Sequence, residues 1–272
     1  MPYPPWTPVK GLTPLTSSES AELAATLPVT PHYVIPYAGL RHGLDRVFAA
    51  GSRTNPDAVV MEHRGTPGEP EFFGPDPEAG WSLLSRIPGW FCLNGTRDDM
   101  ARFRPILARE VPAPFEVLGD VFFTLDGPPI PHPNPAVRLL GPADIPLLQD
   151  FGPPVWGNSY RTFDEMVTTG VVAAAIVEDR PVSVALVSAA NGRYADVGVH
   201  TLAPYRRQGF SSAAASLVAT EVRARGLVPI WSTGSNNLAS QRVAVKVGFQ
   251  PYPPCEYLVC EALKQGGGFR PA

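Results

Sequence analysis

The sequence predicts an α/β fold: a mixed sheet with helices on its faces in the C-terminal half, preceded by an α+β N-terminal half. Three observations carry this. Apolar β-type runs alternate with amphipathic helical runs after residue 136, glycines stand where those helices should stop, and a proline-rich stretch separates the halves. At 272 residues the chain is long enough for two domains. The expected division is 1–126 for an N-terminal α+β domain, 127–135 for a linker and 136–265 for the C-terminal domain. The linker, GPPIPHPNP, holds five prolines in nine positions, a composition that favours stiff polyproline II.

In the N-terminal half the pattern predicts helices over Ser18–Leu27, around Leu40–Ala50 and over Asp98–Glu110, with strands at Ala58–Glu62 and Phe115–Leu125. This half carries no readable chemical motif. Its aromatics, Phe72, Phe73, Trp81, Trp90 and Phe91, read as core rather than as a cofactor box. After the linker come a short strand at Val137–Leu140 and helices at Ala143–Phe151 and Thr162–Thr169. VVAAAIV and VSVALVSA flank the four residues EDRP as a hairpin, and Tyr194–Leu202 is a third strand. Phe210, Ala214, Leu217, Val218 and Val222 line one face of a helix over Gly209–Arg225, which Gly226 stops. A strand at 227–231, a helix over Leu238–Val247 stopped by Gly248, and a strand at Glu256–Cys260 complete the order β-α-α-β-β-β-α-β-α-β.

Composition excludes several functions. A formal net charge of −3 provides no basic field for nucleic acid or an anionic membrane. Apolar runs such as Val171–Val177 fall far short of the roughly 18 residues of a membrane span, and MPYPPWTPVK lacks the apolar core of a signal peptide, so a soluble cytoplasmic protein is expected. The three cysteines, Cys92, Cys255 and Cys260, have no metal-like spacing and read as reduced bystanders. No metal is expected.

One junction carries chemistry. In "DVGVHTLAPYRRQGFSSAAASLVATEVRARG" the chain leaves a strand, passes Arg206, Arg207 and Gln208, and enters a helix at Gly209. The first N–H groups of a helix have no intrahelical acceptor and sit at the positive end of its dipole, so an anion is favoured there. Gly209 lets a pyrophosphate approach and permits a positive φ, Ser211 and Ser212 can add hydroxyls, and the two arginines offer charge-assisted contacts. An ordinary glycine N-cap with solvated arginines is the competing reading of the same letters. The dinucleotide loop G-x-G-x-x-G and the Walker loop do not occur. GFSSA resembles a nucleophile elbow centred on Ser211, but His32, His42, His63, His132 and His200 all precede it, whereas a hydrolase needs its histidine afterwards.

The segment Arg206–Ser211 resembles the [RQ]-x-x-G-x-[GA] pyrophosphate loop of the GNAT superfamily of acyl-CoA-dependent N-acyltransferases. Asn237, Ser240, Lys246, Gly248 and Phe249 in "NNLASQRVAVKVGF" are similar to that family's second signature. The similarity covers roughly 137–260 and looks most like the branch of zwittermicin-resistance-type acetyltransferases. It implies a GNAT-like C-terminal domain. Some tandem relatives carry a degenerate copy of the fold as their N-terminal half, and that alternative stays open here although no repeat shows in the letters.

The resemblance implies an acetyltransferase that takes acetyl-CoA as donor and a small-molecule amine as acceptor. Val199 and Thr201 match the strand positions that hold the pantetheine arm. Arg206, Arg207, Gln208, Gly209, Phe210, Ser211 and Ser212 form the pyrophosphate loop, and Asn237 and Ser240 reach the pantetheine end. Ser211 stands where the family has glycine or alanine. Ala244 stands where the family has its general-acid tyrosine, which leaves the leaving thiolate's proton source open. Asp196 is the nearest carboxylate to the usual base position, with Tyr194 and His200 the other titratable neighbours. An acyl-CoA-binding sensor module without catalysis is the alternative. The acceptor site is expected where the two halves meet, lined by the N-terminal aromatics and residues from Trp156 to Phe163.

Overall fold

The computed structural model describes residues 6–53, 55–149, 151 and 160–271. The region from Trp156 that was expected to line an acceptor site lies in part, at 156–159, outside the described residues.

The chain divides into two compact units, and the division is not linear. The first consists of Met1–Pro28, Gly39–Asp120 and Pro254–Ala272; the second consists of Val29–Ala38 and Val121–Pro253. The chain passes between the units at Pro28/Val29, Ala38/Gly39, Asp120/Val121 and Pro253/Pro254.

The N-terminal half runs α1 (Ser17–Ala24), α2 (Val34–His42), β1 (Arg46–Gly51), β2 (Pro56–His63), β3 (Thr66–Phe73), α3 (Pro77–Leu84), β4 (Cys92–Thr96), α4 (Arg97–Glu110) and β5 (Glu116–Thr124). After β6 (Val137–Leu139) the C-terminal half runs α5 (Ile145–Gln149), α6 (Phe163–Thr169), β7 (Val172–Val177), β8 (Arg180–Ala190) and β9 (Tyr194–Thr201). It continues with α7 (Phe210–Ala224), β10 (Val228–Gly234), α8 (Leu238–Val247) and β11 (Gln250–Val259), and α9 (Glu261–Gln265) follows. From α1 to β5 and from α5 to β11 the order is the same, α-α-β-β-β-α-β-α-β. In both, an antiparallel three-strand meander leads into a parallel pair. The N-terminal half is thus a second copy of the C-terminal pattern, which its letters do not disclose.

The two copies have exchanged their last strands. In the first unit the order is β1-β2-β3-β4-β11, and β11 pairs antiparallel with β4 from Cys255↔Thr96 to Val259↔Cys92. In the second it is β5-β10-β9-β8-β7-β6, and Leu125 N–H continues the contact of β5 by donating to Pro229 C=O at 2.9 Å. Packing follows the exchange. Leu258, 1 % exposed, belongs to the core with Phe72, Trp90 and Phe103, whereas Phe123 and Leu125 belong to the core with Val218 and Trp231.

The helix expected around Leu40–Ala50 is corrected: α2 ends at His42 and Arg46–Gly51 is a strand. Val47 and Phe48 are buried in the sheet, where pairing with β2 outweighs the helical spacing of the apolar letters. The expected Ala58–Glu62, Asp98–Glu110 and Phe115–Leu125 elements are present within a residue or two, and α1 is shorter than expected. The proline-rich 127–135 is docked rather than free. Ile130 N–H donates to Val247 C=O at 2.8 Å, Ser216 Oγ donates to Ile130 C=O at 2.9 Å, and His132 Nε2 lies 2.9 Å from Lys246 C=O, all within the second unit.

The second unit packs two layers on its sheet. One face carries α7 and α8 through Ala214, Val218, Val222, Ala244 and Val247, where small side chains bring the helices close to the strands. The other carries α5 and α6 through Leu148, Met166 and Val167. No helix among the described residues is long and apolar enough to cross a membrane.

Candidate functional site

The site grows from β9 and β10. Their parallel ladder comprises three pairs, Tyr194↔Val228, Ala195↔Pro229 and Asp196↔Ile230, and both strands continue beyond it, to Thr201 and to Gly234. Past Asp196, β9 is held by β8 on one side, down to Ser183↔Thr201, while its other side leaves the ladder with β10. Backbone donors and acceptors that leave a ladder need other partners. A thin ligand lying along β9 can satisfy them.

The Asp196 carboxylate sits where the ladder ends. It is 6 % exposed, accepts a hydrogen bond from Ser188 Oγ and another from Ser232 Oγ at 3.3 Å. Ser188 reaches it because β8 carries a register shift between Val187 and Ala189, a bulge of the kind that re-aims a side chain. Burial pushes the Asp196 carboxyl up to about 6, against the pull of the Ser188 and Ser232 hydroxyls. A carboxylate held near neutrality is suited to accept a proton and release it again.

At the far end of β9 the chain turns through Ala203–Tyr205 and the RRQG loop. Arg207 (φ 63°) and Gly209 (φ 84°) are left-handed on either side of Gln208, so φ alternates in sign, the pattern that gathers successive N–H groups into one concavity. The first intrahelical bond of α7 is Ala213 N–H to Gly209 C=O, at 3.1 Å. The N–H groups of Phe210, Ser211 and Ser212 are therefore the free donors of the helix start.

Other helices cap this end with a side chain: Thr16 caps α1, Asp76 α3, Thr96 α4, Thr162 α6 and Asn237 α8. At the 15-residue α7 the cap is Gly209, which has no side chain to offer. A Cβ on Gly209 would meet nothing within 4 Å, so the space over the loop is open. Arg206 and Arg207 are exposed beside it; Arg206 Nε donates to Thr201 C=O at 3.2 Å, and Gln208 Nε2 to Pro204 C=O at 3.3 Å.

The remaining expected site residues are placed as follows. Val199 and Thr201 lie on the stretch of β9 beyond the parallel ladder; the Thr201 hydroxyl bonds Ser183 Oγ at 2.7 Å. Asn237 Oδ1 caps α8 by accepting from Ser240 N–H at 3.2 Å, and Ser240 Oγ accepts from Trp231 Nε1 at 2.9 Å. His200 stacks edge-on with Phe151, ring centres 5.7 Å apart. Ala244 is fully buried between α8 and the sheet, packed with Val247, Trp231 and Phe249. Ser188 and Ser232, which the sequence reading did not single out, join the site through the bulge and through β10.

The corresponding junction of the N-terminal copy is closed. Asp76 accepts from Glu78 N–H at 2.9 Å and Ala79 N–H at 3.0 Å, so α3 already holds a carboxylate where α7 is open. Between β3 and β4, whose parallel pairing is Glu71↔Asn94, the Asn94 amide donates to Glu69 and Pro70 carbonyls at 2.9 and 3.2 Å and stitches the strands together. The C-terminal copy leaves its long helix without a side-chain cap and its parallel pair ends at Asp196; the N-terminal copy fills both corresponding places with its own side chains.

Residues 146–257 match the family described as GNAT acetyltransferase. None of the curated proteins matches the chain. Among solved structures, a Drosophila protein superposes with a TM-score of 0.62 at 16 % identity, covering 91 % of this chain and 98 % of its own. An acetyltransferase from the GNAT family of Colwellia psychrerythraea gives 0.62 at 14 % identity, covering 91 % and 99 %. A tandem GNAT protein from the clavulanic acid biosynthesis pathway gives 0.59 at 11 % identity, covering 91 % and 97 %. These likenesses show the fold over both halves: a mixed α/β arrangement of GNAT type with two units.

Proposed function

We propose that the chain is an acyl-CoA-dependent N-acyltransferase of GNAT type that moves an acetyl group from acetyl-CoA to an amine of a small polar molecule. The observation that carries this reading is the parting of β9 from β10 at Asp196, directly upstream of a long helix whose start has no side-chain cap. The match of 146–257 supports it. Within the family, the run from Ala195 to Phe210 favours the zwittermicin-resistance-type branch.

In this reading the pyrophosphate rests on the N–H groups from Arg207 to Ser212, with Arg206 and Arg207 neutralising charge and Gly209 leaving room. Phe210 and Gln208 contribute backbone. The pantetheine arm follows β9 past Thr201 and Val199, with Asn237 and Ser240 along its other side. The thioester then meets the acceptor near Asp196. Asp196 takes the proton of the acceptor ammonium, the freed amine attacks the thioester carbonyl, the new C–N bond forms and the C–S bond breaks. The amide nitrogen then gives up its remaining extra proton, which passes through water to the departing thiolate, because Ala244 has none to give. Placement of amine and thioester together supplies most of the acceleration.

Ala244 favours one second reading, in which the site binds acyl-CoA without turning it over. Two measurements decide. A thermal melt with saturating acetyl-CoA should raise the midpoint by several degrees, since ligand at a hundred times its Kd adds about 2.7 kcal/mol and each kcal/mol moves a chain of this size about 2–4 °C. Release of free thiol with a panel of amines then separates enzyme from binding module. An absent shift in the folded protein overturns both readings; a shift with no thiol release leaves the module.

A further inference from the structure

The N-terminal unit holds a cavity apart from the β9–β10 cleft. It is a half-open groove of about 500 Å³ between the C-terminal part of α4, the turn that follows and the start of β5. Its walls include Leu107, Val111, Phe115, Val117 and Leu258, with Arg104 as the charged residue of the lining. Val117 is 45 % exposed on the rim, an unusual position for a valine in a strand with a buried face. The volume suits a small organic molecule.

Arg104 lies at the edge of the groove with its side chain 42 % exposed. Glu256, on β11, receives Arg104 Nη2 and also lies 3.2 Å from Arg97 Nε, so two guanidinium groups share one carboxylate. Arg104 Nε is buried and has no hydrogen-bond acceptor among the described residues. A buried donor without an acceptor is costly, and a guanidinium with spare donors prefers a carboxylate.

We infer that this groove binds an apolar carboxylate, a medium-chain aliphatic acid with its tail against Leu107, Val111 and Leu258 and its head at Arg104. Hydrocarbon walls receive the tail, and the head accepts from the Arg104 guanidinium donors that Glu256 does not take. A phosphate fits less well, because one arginine edge in an apolar wall offers too few donors for three oxygens.

Octanoate is the probe, titrated into the full chain by calorimetry, with octanamide as the uncharged control. Octanoate should bind saturably and at least about tenfold tighter than octanamide, the difference expected of a hydrogen bond to a charged group. Ala108→Trp, on the exposed side of α4, fills the groove and should abolish binding. Arg104→Met keeps the apolar stem, leaves Glu256 paired with Arg97, and should bring octanoate down to the affinity of octanamide. Because Ala108 is exposed, that variant remains folded and decides the matter even if the Arg104 variant does not fold. Equal affinity for octanoate and octanamide, unchanged binding in Ala108→Trp, or no saturable binding at millimolar octanoate overturns the assignment. Octanoate titration is independent of acetyl-CoA binding.

Discussion

The Asp196 carboxylate lies level with Ile230, the last residue that β10 pairs with β9, so a buried acid marks the point where two parallel strands part. Its chemistry and the opening of the cleft are set by one residue position, and this makes the proposed site testable by small changes.

Asp196→Asn should lower amine acetylation by about 10²–10⁴-fold, the usual weight of a general base, and remove an acidic limb that in the parent falls through about pH 6. The same change should stabilise the fold. The carboxyl is raised in the native state, so its favourable contribution is full below the unfolded value of 3.8 and is lost as pH rises through about 6. At pH 8 the asparagine variant avoids that loss, at most about 3 kcal/mol for about two pK units. Melting curves at pH 8 and below pH 4 check the sign: a gain at the first and none at the second.

Gly209→Ala and Gly209→Glu should separate backbone strain from charge. Neither meets a steric obstacle, because the space beyond the α-carbon is open. Both pay for a left-handed φ of 84°, about 1–2 kcal/mol. The alanine variant should lose part of the acetyl-CoA-induced rise in Tm, because its methyl narrows the anion's approach, and the glutamate variant all of it, because its carboxylate occupies the anion's place. Equal loss in both would point to loop distortion instead.

Ala244→Tyr should not reinstate a general acid. The site is packed against Val247, Trp231 and Phe249 with no exposed surface, and overfilling such a site costs roughly 1–3 kcal/mol. A lower Tm with no gain in thiol release is expected. Faster release at high pH would show that the phenol reaches the thiolate.

Truncation after Pro253 should unfold the N-terminal unit while sparing the second. It removes the 254–259 part of β11 with Leu258, Cys260 and the pairing with β4, and takes nothing from Val121–Pro253. Limited proteolysis should cut within residues 44–120, and the acetyl-CoA shift of the remaining transition should persist. An N-terminal unit that stays protease-resistant would mean that β4 does not depend on β11.

Much of the C-terminal unit was legible in its letters because its signals are local. Gly209, Gly226 and Gly248 mark helix ends with positive φ, and the run from Val171 to Ala189 has the apolar density of paired strands. The RRQGFSS loop was legible for the same reason: it joins a strand to a helix in seven residues. What could not be read depends on distant partners. Arg46–Gly51 has helical spacing yet pairs with β2, and Asn94 and Asp76 close the N-terminal cleft through contacts that no spacing encodes. At Asp196 the letters show a carboxylate on a strand of the candidate site. Its burial, and the hydroxyls of Ser188 and Ser232, come from a bulge and a neighbouring strand that sequence order does not bring together.

The exchange of final strands also sets a timetable for synthesis. A ribosome completes β4 at residue 96, but the strand that covers its edge begins at residue 250. At about 5–20 residues per second, the nascent chain spends roughly 8–30 seconds with that edge uncovered. The first half to be made is then the last to finish folding, and chaperones that shield strand edges should be needed at the start of the chain's life rather than at its end.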